Sequence, residues 1–222
     1  KVESNVNEGS TSNTRIVNIS VEEKPTGEFS LGAGVGTSGS VIGGGIKEKN
    51  FLGKGITLKA DLEISEESIK GALTYAKPYF NYSDNTLFTS IKSTSEDNLT
   101  DSGYKISTAG FSLGTKFEQY ENLFFSPEID FSVEDLTTNS TASSNLKKQE
   151  GSYNDFYFNY GLDFDNRDSF YNPSRGNKVS FFQQIPISSS KNEISNSFIF
   201  TKYKSLNESK SMTGKASFYF KA

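Results

Sequence analysis

Apolar residues recur at every second position, in segment after segment, and that period constrains the fold more than any other feature. Ile56, Leu58, Ala60, Leu62 and Ile64 alternate with Thr57, Lys59, Asp61 and Glu63. Leu123, Phe125, Pro127, Ile129, Phe131 and Val133 alternate with Phe124, Ser126, Glu128, Asp130, Ser132 and Glu134. Phe156, Phe158, Tyr160, Leu162 and Phe164 do the same against Asp155, Tyr157, Asn159, Gly161, Asp163 and Asp165. A period of two puts one apolar row and one polar row on opposite faces of a strand. No stretch carries a convincing helical period, so the expected class is all-β. The strand segments read as 1–8, 14–23, 27–37, 40–49, 55–65, 68–79, 86–96, 103–117, 122–135, 153–166, 176–187, 193–205 and 211–221.

Many of these segments exceed the five or six residues usual in globular proteins. They match the roughly 9–11 residues that a tilted strand needs to cross a bilayer. Their polar faces carry Lys, Asp and Glu, unlike the inner face of a sandwich. A wet, charged interior behind an apolar exterior is the pattern of a transmembrane barrel. It accounts for a mean hydropathy of −0.54 and a hydrophobic fraction of only 33%, since half of each strand faces water. Tyr79, Phe80, Tyr82, Phe117, Tyr120, Phe170 and Tyr171 fall near strand ends, where interfacial girdles belong. Connections alternate between the two ends of an up-and-down sheet. One end takes 37–40, 65–68, 95–103, 137–152 and 188–193, including the longest polar loop; the other takes 50–55, 80–85, 118–122, 167–175 and 206–211. Alternation alone also fits a soluble sandwich or solenoid.

Several chemistries are excluded. With His 0 and Cys 0, there is no Ser-His-Asp triad, no thiol nucleophile and no usual zinc site. With 23 Lys+Arg against 27 Asp+Glu and no basic cluster, nucleic acid is not an expected partner. No apolar run approaches the ~18 residues of a membrane helix. The polar, acidic residues 1–10 are not a signal peptide. Gly34-Val35-Gly36-Thr37-Ser38-Gly39 formally matches nucleotide-binding glycine patterns, but an extended Gly-rich segment follows instead of the required helix. Asp163, Asp165 and Arg167 read as ion pairing at a barrel rim, with Asp163 and Asp165 facing inward, since the spacing of a calcium loop is missing. No catalytic residue, metal ligand or cofactor is expected.

The segment 27–37 is unusual. Phe29, Leu31, Ala33 and Val35 face one way and Ser30, Gly32, Gly34 and Gly36 the other. One face is almost without side chains, so backbone groups dominate what this strand offers a neighbour. At a sheet edge such a strand can template an incoming one.

Three segments together resemble the BamA family of outer-membrane insertases, also called the bacterial surface antigen family. Glu22 to Thr37 resembles the passage from the last POTRA strand into the first barrel strand. Asn50-Phe51-Leu52-Gly53-Lys54-Gly55 is similar to the family's first periplasmic turn. Asp155 to Gly161, followed by Arg167-Asp168 and Asn172-Pro173-Ser174-Arg175-Gly176, resembles its central strand and Pro-x-x-Gly turn. The resemblance covers roughly residues 16–187.

It implies two POTRA-type strands in 1–24, on the periplasmic side, and the N-terminal part of an antiparallel up-and-down transmembrane barrel, about eleven strands, in 25–222. It also implies a lateral seam strand running through Glu28, Phe29, Ser30, Leu31, Gly32, Ala33, Gly34, Val35, Gly36 and Thr37. The implied partners are unfolded outer-membrane β-barrel proteins, accessory assembly lipoproteins and the lipid bilayer. The alternatives are a POTRA-barrel polypeptide exporter or a simple porin. The family's Val-Arg-Gly-Phe loop, closing strand and terminal aromatic are absent, so the chain is expected to be a piece of a longer protein.

Overall fold

The computed structural model describes residues 2–11, 13–36, 39–190, 192–209 and 211–222. Its strands are β1 (Val2–Glu8), β2 (Arg15–Val21), β3 (Gly27–Gly36), β4 (Gly39–Phe51), β5 (Ile56–Ser65), β6 (Ser68–Lys77) and β7 (Thr86–Asn98). They continue with β8 (Tyr104–Tyr120), β9 (Leu123–Thr138), β10 (Gly151–Asp165), β11 (Gly176–Ser188), β12 (Ser195–Ser205) and β13 (Thr213–Lys221). β1 and β2 form a hairpin, in register from Val2↔Val21 to Glu8↔Arg15. The other eleven strands make one antiparallel sheet in unbroken chain order, from β3 at one edge to β13 at the other.

Alternation becomes two continuous faces once the register is set. Leu73, Ile91, Phe111, Phe131 and Phe156 lie directly across from one another through five strands. One residue along, Ser90, Ser112, Asp130 and Tyr157 line up on the opposite face, and the Ser90 and Ser112 hydroxyls hydrogen-bond at 2.8 Å.

Among the described residues no second layer covers the apolar face. Among the described residues only Ile56, Leu136 and Ala142 are buried hydrophobics, while Leu73, Ile91, Phe111, Ile129 and Phe131 stay exposed. A soluble sandwich buries its apolar face against another sheet, so that alternative does not describe this chain. Covering one such Leu, Ile or Phe with lipid is worth about 1.5–3 kcal/mol.

The observed strands differ from the sequence reading mainly at their ends. β6 stops at Lys77 rather than 79, because Tyr79, Asn81 and Tyr82 take positive φ of 53°, 55° and 58° around a 3-10 turn at Phe80–Tyr82. β9 and β10 run further than expected, which shortens the long connection to residues 139–150. That connection holds a one-turn helix, α1 (Ser144–Lys147), where none was expected. The Ser143 hydroxyl caps it by accepting from the Leu146 amide at 3.3 Å. A single turn is too short to leave a periodic signal.

The same connection is docked rather than loose. The Asn139 amide nitrogen Nδ2 donates to the Leu99 carbonyl at 2.8 Å, and the Asn139 backbone N–H to the Gly103 carbonyl at 2.9 Å. At the opposite end, Tyr79, Phe80, Tyr82, Tyr120, Phe170 and Tyr171 all lie on or beside the tight connections and are exposed. Six of the seven aromatics predicted near strand ends gather at the tight-turn end; Phe117 instead lies within β8, half-buried against the Phe125 ring at 5.7 Å.

Candidate functional site

Among the described residues β3 pairs with β4 alone, from Gly27↔Glu48 to Gly36↔Gly39. The phase of the ladder is fixed just before it, where the Lys49 N–H donates to the Thr26 carbonyl at 3.4 Å. Hydrogen-bonded and non-hydrogen-bonded pairs alternate along an antiparallel ladder. Glu28, Ser30, Gly32, Gly34 and Gly36 therefore turn their backbone groups toward β4. Gly27, Phe29, Leu31, Ala33 and Val35 turn theirs to the open side. Nine of the ten predicted seam residues, Glu28 to Gly36, thus form one continuous edge; Thr37 lies outside the described residues.

The two faces of this edge are unlike. Phe29, Leu31 and Val35 stand on the apolar face, 75%, 71% and 87% exposed. Phe29 and Leu31, with Ile42, Leu62 and Ile64, border an apolar depression of about 410 Å³. Behind it, on the polar face, Ser30, Gly43, Asp61, Glu63, Lys70 and Lys92 line an open trough of about 470 Å³. A Cβ placed on Gly32 or Gly34 would meet nothing within 4 Å. These two glycines are not forced by any neighbour present, and the bare face they leave is open.

Two side-chain links hold the beginning of β3. The Thr26 hydroxyl donates to the Glu48 carboxylate, and the Lys49 ammonium pairs with the Glu28 carboxylate. Glu48 also accepts from the Asn50 backbone N–H at 2.7 Å. Asn50 Oδ1 in turn accepts from the Gly55 N–H at 2.7 Å. The predicted turn Asn50, Phe51, Leu52, Gly53 and Gly55 is thereby wired to the start of the edge. Leu52 and Gly53 take φ of 57° and 69° and the Lys54 N–H returns to the Phe51 carbonyl at 3.3 Å, as in a hairpin turn with two left-handed central residues.

Sequence reasoning named Asn50 and Glu28 but missed Thr26, Glu48 and Lys49. Counting the register back from the turn would have placed them beside β3.

The second predicted turn, with Arg167, Asp168, Pro173 and Gly176, is built separately, between β10 and β11. Arg167 forks onto Asp165, with Nε at 2.7 Å and NH2 at 2.6 Å, and lies over the Phe170 ring at 5.4 Å. Asp163, expected beside Arg167, instead accepts from the Ser180 hydroxyl at 2.6 Å and faces Lys116 at 3.9 Å. Asp168 accepts from the Ser174 and Arg175 N–H groups at 2.8 and 3.1 Å and from the Ser174 hydroxyl. Those donors, the Ser174 hydroxyl foremost, hold the Asp168 carboxyl down at about 2. Gly176 has φ +107°, and a Cβ there would stand 2.5 Å from the Asn166 carbonyl oxygen. Pro173 sits in the intervening bend, half-buried.

Among the described residues no group of acidic side chains could hold a metal ion. What the site offers is backbone hydrogen bonding along an apolar strand.

Comparison with known proteins agrees with this architecture. The Omp85 superfamily domain matches residues 50–221. The fold resembles that of BamA from Haemophilus ducreyi lacking POTRA domains 1–3, with a TM-score of 0.75 and 22% identity, over 100% of this chain and 46% of that one. It is also similar to CdiB from Escherichia coli, with a TM-score of 0.55 and 10% identity, over 98% of this chain and 45% of that one. The chain therefore spans less than half the length of the solved structures it matches. With a single open sheet of alternating strands and a family match over most of its length, the chain belongs to the Omp85 superfamily of outer-membrane β-barrel proteins.

Proposed function

We propose that this chain is part of an outer-membrane assembly factor that inserts β-barrel clients by templating their strands on β3. One observation carries the reading: Phe29, Leu31, Ala33 and Val35 direct their backbone donors and acceptors away from β4, on a strand whose other face is almost bare of side chains. Unsatisfied backbone groups in hydrocarbon cost several kcal/mol each. An arriving client strand removes that cost, and needs no particular side-chain sequence to do so. No covalent chemistry and no cofactor enter.

In this reading residues 1–24 supply the last strands of a POTRA domain on the periplasmic side, and 25–222 the N-terminal part of the barrel. The turns at Asn50–Gly55 and Arg167–Gly176 then lie at the periplasmic face. The partners are unfolded outer-membrane β-barrel proteins, accessory assembly lipoproteins and the bilayer itself.

A photo-crosslinker at Leu31 or Ala33 of the complete protein tests this. Adducts with a client strand are expected, and their clean absence overturns the reading. The second reading is export of a polypeptide through the lumen, for which the open trough on the polar face speaks. That route predicts adducts from Asp61 and Glu63, in the trough on the polar face, and none from Leu31.

A further inference from the structure

We propose that a glycine-floored depression on the apolar face of β3, β4 and β5 is a binding site for one acyl chain of a bilayer lipid. The inference goes beyond templating and stands without it. It needs only that this face meets lipid.

Cross-strand register builds the depression. Leu31, Gly44 and Leu62 stand in one row across the three strands. Phe29, Ile46 and Ala60 make the row on one side of it. Ala33, Ile42 and Ile64 make the row on the other. All these positions lie on the apolar face, and only the central one has no side chain. The missing side chain leaves the depression of about 410 Å³. Gly44 is held as glycine by β3: a Cβ there would stand 3.1 Å from the Ser30 carbonyl oxygen and 3.5 Å from Leu31 Cδ1. Further along the sheet a comparable row is filled, as Leu73, Ile91, Phe111 and Phe131 follow one another without a gap.

Depth and shape choose the occupant. Gly44 lies five residues from the start of β4 at Gly39 and seven from its end at Phe51, near mid-height in the apolar band of a barrel. Headgroups do not reach that depth, and tails do. A dry cavity of about 150 Å³ already admits benzene, so this one has room for several methylenes of a tail. Left empty, its walls would forfeit their dispersion contacts on one side. A client strand pairs at the β3 edge, in the plane of the sheet, and leaves this face open. A seated tail touches Phe29 and Leu31, so lipid packing bears directly on the edge strand.

The complete protein is reconstituted in vesicles of phosphatidylethanolamine and phosphatidylglycerol. A trace of the phosphatidylethanolamine carries a diazirine near the terminal methyl of one chain. After illumination, adducts on Leu31, Ile42 and Leu62 are expected to exceed those on Ile91, Phe111 and Phe131 about three- to tenfold, the range that a handful of extra carbon–carbon contacts supports. Moving the diazirine next to the ester is expected to remove the excess. Two variants fill the depression from different strands: Gly44→Leu from the floor, and Ala60→Phe from a wall, whose ring reaches diagonally across the strands. Both are expected to bring Leu31 and Leu62 down to the level of the filled row, with labelling of the filled row unchanged. Ala60→Phe leaves the close contact at Gly44 untouched, so it tests the site even where Gly44→Leu fails to fold.

Equal labelling of depression and filled row in the parent, an excess that survives Ala60→Phe, or an excess as large with the ester-side probe overturns the site. Labelling of the depression below that of the filled row means that a protein segment covers it, and overturns the proposal too. None of these outcomes bears on templating, whose test is the client adduct.

Discussion

Three glycines show how differently one residue type can be used. Gly176 has φ +107° and its missing Cβ would fall 2.5 Å from the Asn166 carbonyl oxygen. Gly176→Ala is expected to cost about 1–3 kcal/mol, as strained positions do, read as a lower urea midpoint of the folded chain in detergent. Gly32 and Gly34 have open space and no positive φ. Gly32→Ala is expected to be neutral or to stabilise by about 0.4–1 kcal/mol, by restricting the unfolded chain. An equal loss at Gly32 and Gly176 would contradict the assignment. Asp168 gives a pH signature. Its carboxyl is held at about 2 when folded, below the roughly 3.9 of a free Asp. A depressed folded value stabilises the turn above the unfolded value and is lost as pH falls through the folded one. Protection of the Ser174 and Arg175 amides, relative to intrinsic exchange at each pH, should thus be flat from about pH 8 to 5 and fall between about pH 4 and 2; Asp168→Asn should abolish that fall. The sequence showed Asp168 and Gly176 as parts of a turn. It did not show that Asp168 binds Ser174 and Arg175, because those bonds close a loop whose path only the folded turn defines.

At the scale of the element, β3 is the informative strand. Its two faces were legible from residues 27–36, since alternation alone assigns Phe29 and Leu31 to one side and Gly32 and Gly34 to the other. Its place at an edge was legible only through the family resemblance. Which backbone groups are free depends on the ladder's phase, and a one-residue slip would exchange them. The clasp of Thr26, Glu28, Glu48 and Lys49 was invisible for the same reason. It joins residues more than twenty positions apart, which come together only when the hairpin is in register. Its ion pair is half-exposed, so raising ionic strength should loosen the start of β3 more than the sheet interior. Hydrogen exchange at Lys47–Lys49 against Ser112–Gly114, measured in low and high salt, reports this; equal responses would deny the clasp its role.

At the scale of the whole molecule, stability depends on where the apolar face goes. Ile129 lies on the apolar face and Asp130, its neighbour in β9, on the polar one. Ile129→Lys is expected to cost about 2–4 kcal/mol near the bilayer midplane, while lumenal changes are far better tolerated. Insertion yield into vesicles for Ile129→Lys against Asp130→Lys measures the difference. Equal yields would mean that lipid does not cover this face. The loops at the two ends are also unlike. One end carries the docked 139–150 connection, closed over Gly103 by Asn139, and the other an aromatic girdle on tight turns.

The sequence by itself determined the all-β class, the alternation of faces, the near-complete set of strands and the two ends to which their connections belong. These are local properties: a period of two and a turn residue act within a few positions of themselves. Tertiary structure decided the register, the free backbone groups of β3, the clasp at its base and the single-turn helix in the long connection. Each of these depends on which residue stands opposite which, and that is settled only when strands far apart in the chain pair.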